Sequence, residues 1–151
     1  MTRKQQIEKI KKHLKNYKVY KVGMKNIQQS LDEILPNITT DYSWKENSKE
    51  SLNNNSSTEN TAIYRLEGEK VAYLQQQLAI YKTIINSIDE AVKALTEDEE
   101  KFIKYRYFEG WSIEKTALEL GYSVQNCFKI RTQAMNKLLI SLRNLIKFPL
   151  S

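Results

Sequence analysis

The chain has 151 residues, enough for one domain or two small ones. Lys and Arg total 24 and Asp and Glu total 18, a formal charge of +6 that suits a polyanionic partner. With one histidine, His13, and one cysteine, Cys127, no internal disulfide can form. These residues also leave too few groups for a zinc site or a histidine-dependent triad. Neither a metal nor a cofactor is expected, and the chain does not read as an enzyme.

The charge is unevenly spread. Residues 1–25 carry nine Lys/Arg and one acid, Glu8, and residues 121–148 carry five Lys/Arg and no acid. No apolar run reaches the roughly 18 residues of a membrane span. The basic N-terminus lacks the apolar core of a secretory signal. A lone cysteine suits a reducing cytoplasm.

Residues 2–20 predict a helix, with Ile7, Ile10, Leu14 and Tyr17 at spacings of three and four and lysines on the other faces. Gly23 is expected to interrupt it. Ile27, Leu31, Ile34 and Leu35 form a second stripe, expected to stop at Pro36, because proline disfavours helix in the residue before it. The alternation over 17–22 is the one short strand signal. Residues 1–35 are therefore read as basic N-terminal helices.

Residues 36–60 hold six Asn and five Ser. A segment of that composition buries too little apolar surface to offset its ordering entropy, so a flexible polar linker is expected. Tyr42 and Trp44 stand out within it.

Residues 61–95 predict one long helix. Val71, Leu74, Leu78, Tyr81, Ile85, Ile88, Val92 and Leu95 are spaced 3-4-3-4-3-4-3, an unbroken heptad seam on the order of 35 Å long. It suits a coiled coil, with Val71 to Val92 as the dimerisation positions. Ile80, Ile84 and Ala91 widen the apolar face, and packing on the chain's own helices is the other way to cover it.

Residues 96–148 predict three or four helices. Thr96 and Glu99 have the spacing of a capping box. A break is expected at Glu109-Gly110. Ser112 caps a short helix holding Ile113, Ala117 and Leu120, and Gly121 ends it. Ser123 caps a last helix running to about Ile146, ahead of Pro149. The pair over 112–138 has the plan of a helix-turn-helix, whose second helix enters the major groove of DNA. Ala117 is small enough for a close crossing. Leu120, Val124, Cys127, Ile130, Ala134 and Leu138 supply the packing face. The opposite face presents Gln125, Asn126, Lys129, Thr132 and Gln133. Asn and Gln suit an adenine edge, and Lys suits guanine or phosphate. Ser123 at the helix start can hold a phosphate. Arg131, Lys137 and Arg143 are read as backbone-positioning cations. Cys127, on the packing face, is read as a small hydrophobe.

The motif LTEDEEKFIKYRYFEG at 95–110, followed by Ser112, Ala117, Leu120-Gly121, Ser123, Ala134 and Lys137-Leu138, resembles region 4 of bacterial sigma factors. In layout the chain is similar to phage transcriptional regulators of the RinA and ArpU type. The likeness is carried by residues 57–142, including Tyr105-Arg106-Tyr107-Phe108, and extends to 1–35 only in general character. Sigma factors often have basic residues where this chain has Phe128 and Gln133, and valine at the place of Cys127. The resemblance implies an all-α protein that acts as a sequence-specific DNA-binding regulator of phage or prophage late genes. Its implied partners are double-stranded DNA, RNA polymerase and a second copy of the chain. The alternatives are a small-terminase-like DNA-recognition subunit and a sigma-like partner-binding module.

Overall fold

The computed structural model describes residues 1–47 and 56–147, with side chains for 1–35, 59 and 61–147. It is all-helical, and no strand occurs among the described residues. In order these are α1 (Arg3–Lys15), α2 (Tyr17–Asn47), α3 (Ser56–Lys93), α4 (Glu97–Ile103), a π-helical turn (Lys104–Phe108), α5 (Ile113–Leu120), α6 (Val124–Ser141) and α7 (Arg143–Ile146). None of these helices is long and apolar enough to cross a membrane.

Several boundaries differ from the sequence expectation. The helix expected over 2–20 divides at Asn16, which closes α1 with φ −90° and ψ 3°. α1 begins at a reciprocal cap. The Gln5 N–H donates to the Thr2 hydroxyl at 3.3 Å, and the Thr2 N–H donates to Gln5 Oε1 at 2.9 Å. Residues 17–22 are helical, not extended. α2 then passes through Gly23 and Pro36 without stopping. A glycine lowers helix propensity by only about 1 kcal/mol, which packing readily offsets. A Cβ at Gly23 would lie 3.4 Å from the Tyr81 ring, an ordinary van der Waals contact. A proline costs a helix one N–H bond without forbidding it. The expected linker over 36–60 is thus helical up to Asn47 and again from Ser56. The side chains of Tyr42 and Trp44, and Pro149, lie outside the described residues.

The chain divides into two compact units, one made of Met1–Lys21 with Thr83–Ser151 and the other of Val22–Lys82. These cut across the segments expected from composition, because α1 joins the C-terminal helices. In the first unit α1 packs on α6, α7 and the π turn, while α4 packs on α6 and α5. Ile10, Leu14, Ile88, Phe102, Ile103, Leu138, Leu142 and Leu145 are fully buried there. The helix expected to reach Ile146 breaks at Leu142, whose side chain belongs to that core. In the second unit Leu31 and Leu78 are buried.

His13 joins α1 to α7. Its Nε2–H donates to the Leu145 carbonyl at 3.2 Å, and its Nδ1 accepts from the Tyr20 hydroxyl at 3.0 Å. A carbonyl only accepts, so Nε2 carries a proton, and in the neutral ring Nδ1 is then the acceptor. Burial holds the ring's pKa below its ordinary value of 6.5, with the Leu145 bond opposing the shift and Lys9 adding to it. The unfolded chain therefore takes up the proton first as pH falls. Stability is complete above the ordinary value and declines below it, by up to about 1.4 kcal/mol per pH unit. Thermal melts from about pH 7.5 to about pH 5.5 should show a falling midpoint in the wild type and a flatter profile in His13→Gln. Parallel profiles would refute the assignment.

Candidate nucleic-acid interface

α5 and α6 are set by local chemistry. The Lys115 N–H donates to the Ser112 hydroxyl at 3.2 Å, and the Thr116 hydroxyl donates to the Ser112 carbonyl at 2.9 Å. α5 ends at Gly121, whose φ of 77° and ψ of 25° suit a residue without a Cβ. The Tyr122 N–H then returns to the Ala117 carbonyl at 3.0 Å. The Ser123 hydroxyl starts α6 by accepting from the Asn126 N–H at 3.1 Å. Tyr122 donates its hydroxyl to Asp98 at 2.7 Å, tying the turn to α4.

Where the two helices meet, Ala117 is 3% exposed. α6 buries Cys127, Ile130, Ala134, Met135 and Leu138, while Leu120 and Val124 are half-buried. Burial pushes the Cys127 thiol pKa up, which keeps it protonated and inert.

The outward face of α6 carries Gln125, Lys129, Thr132 and Gln133, all exposed, with Asn126 half-buried at its edge. Positions 125, 129, 132 and 136 fall four, three and four apart and so form one stripe. Sequence reasoning missed Asn136. Thr132 donates to the Phe128 carbonyl at 3.0 Å, an ordinary back-bond within a helix. Phe128 is 40% exposed, outside the core, with the Arg131 guanidinium 4.9 Å from its ring centroid. α6 contains no acid. Ser123 is exposed, and its oxygen already serves as the cap.

The Lys137 ammonium, at a position expected to set the DNA backbone or to sit solvated, pairs with Glu99, whose side chain is 3% exposed, while Lys137 itself is 48% exposed. Burial opposes ionisation of Glu99, yet the Lys137 ammonium and the Thr96 cap outweigh it and hold the carboxyl below its ordinary pKa. Lys137 thus fastens α6 to the start of α4.

The expected dimerisation positions divide. Leu78, Ile85, Ile88 and Val92 are buried within the single chain, while Val71, Leu74 and Tyr81 are half-buried. Most of the seam's C-terminal half is covered by the chain's own helices, which the heptad spacing alone could not distinguish from a dimer contact.

The π turn was also missed. Its Glu109 N–H donates to the Lys104 carbonyl at 2.9 Å, five residues back. That extra residue per turn accompanies two stacks, Tyr105 on Trp111 at 4.7 Å and Phe108 on Tyr17 at 4.2 Å. Lys115 lies 4.0 Å over the Trp111 ring. Aromatic density at 102–111 was the available signal, but it does not report hydrogen-bond register.

Comparison with protein-family models, with curated proteins and with solved structures finds no match.

Proposed function

We propose that the chain is a sequence-specific DNA-binding transcription regulator, with α5 and α6 acting as a helix-turn-helix and α6 as the recognition helix. The observation that carries this reading is the exposed, acid-free stripe of α6, where Gln125 and Lys129 stand on the first two turns after a capped start. First-turn side chains of this kind reach base edges when a recognition helix lies in the major groove. The short αL turn and the buried Ala117 give α6 the firm support that base readout needs. The resemblance to sigma region 4 and to the phage regulators supports activation of phage or prophage late genes at a promoter bound by RNA polymerase. The exposed Leu118 on α5 and Ile140 on α6, 83% and 80% exposed, favour a second reading as a partner-binding module.

Selection of duplexes from a random pool separates these readings. A regulator enriches a defined site, and Gln125→Ala with Lys129→Ala weakens binding to it by about 1–3 kcal/mol per lost base contact while the melting temperature holds. Failure of the wild type to retain any duplex at low salt would leave the partner-binding module.

A further inference from the structure

The basic helix α1 does not extend away from the candidate interface. It lies along the flank of α6. The Arg3 guanidinium donates to Asn136, the residue that completes the exposed stripe. Arg3, Lys4 and Lys11 border a groove whose other wall includes Arg131 and Thr132 of α6. Glu8 is the acid in that groove, and Lys11 pairs with it at 3.1 Å. Four cations against one carboxylate leave the groove strongly positive. Lys9, by contrast, is committed to the fold through the Ile146 carbonyl at 3.0 Å.

We propose that α1 is a second DNA-contacting element, in which Arg3, Lys4 and Lys11 hold the phosphate backbone beside the groove that α6 enters. This rests on the reading of α6 as the recognition helix. A helix seated in a major groove has a sugar–phosphate strand along each side, so an element packed on its flank lies over that strand. Arg3 spends one of its guanidinium N–H donors on Asn136, which orients the fork and leaves the rest for phosphate oxygens. These contacts are independent of sequence, and they strengthen binding by releasing counterions.

The probe is a mixed-sequence DNA duplex, titrated by fluorescence anisotropy over a range of salt. Lys4→Gln with Lys11→Gln is expected to bind about ten-fold more weakly and to lower the slope of log affinity against log salt by about 2. Lys4→Arg with Lys11→Arg should keep both quantities. Lys4→Glu alone, at an exposed position, repeats the loss without disturbing packing. Unchanged affinity and slope in the Gln and Glu variants would overturn the role of α1. If Gln125→Ala with Lys129→Ala still weakened binding to the selected site, the reading of α6 would survive that result. Equal losses in the Arg and Gln pairs would also overturn it, since charge would then not be the cause. A wild type that binds no duplex overturns both readings together.

Discussion

Lys137→Met lowers the unfolding free energy by about 2 kcal/mol at neutral pH and leaves the salt dependence of duplex binding unchanged. The loss comes from the partner left behind. Glu99 is 3% exposed, and its Oε2 has no hydrogen-bond partner among the described residues. Oε1 accepts from both Lys137 and the Thr96 N–H, the latter at 3.3 Å. Without the ammonium a buried carboxylate must remain charged at a cost or take up a proton. Lys137 is itself about half exposed, which keeps the figure below that of a fully buried pair. The pH dependence has a definite sign. The wild-type carboxyl is held below its ordinary pKa, so its contribution is present above the ordinary carboxylate range and is lost as pH falls through the folded value. The gap between wild type and variant therefore narrows toward about pH 4. Adding Glu99→Gln to Lys137→Met recovers part of the loss, because a neutral amide is cheaper to bury. Chemical denaturation of the wild type and the two variants is the measurement. Equal losses in the single and double variants would show that Glu99 is not what suffers.

Phe102→Ala removes about 3–5 kcal/mol, a large share of the roughly 5–15 kcal/mol that a domain has in total. The ring is fully buried and meets Tyr107 edge-on, with centroids 6.2 Å apart and planes at 80°. Truncation leaves a cavity in the layer between α4 and α6, where neighbouring side chains are fixed by helix geometry and relax little. α6 loses support from α4, so under the proposed reading of α6 as a recognition helix, site-specific binding weakens along with stability. Leu118→Ala is the control. At 83% exposure it should change stability by less than about 0.5 kcal/mol. A loss near 1 kcal/mol for Phe102→Ala would mean that the α4–α6 layer collapses around the gap.

The C-terminal helices were readable because their boundaries are written locally. Thr96 with Glu99, Ser112, Gly121 and Ser123 each set a helix end through groups within a few residues. The stripe of Gln125, Lys129 and Thr132 followed from helical spacing. What was not readable depends on distant partners. Asn16 and Leu142 break helices whose apolar periodicity runs straight on, and the core decides both places. Gly23 and Pro36 are punctuation that the helix overrides. Lys137 looks like any exposed cation until Glu99, 38 residues earlier in the chain, is placed beside it. The basic composition of residues 1–25 was visible, but not that Arg3 would touch α6 from 133 residues away.

That long reach has a kinetic meaning. His13 closes on Leu145 and Lys9 on Ile146, separations of 132 and 137 residues, and the whole of Val22–Lys82 lies between the two halves of the unit. On the ribosome α1 emerges well before the helices it packs on. Until those helices are made, Ile10 and Leu14 have no core to enter. Their docking waits for a loop closure whose entropy grows slowly with length but must be met before any contact rewards it.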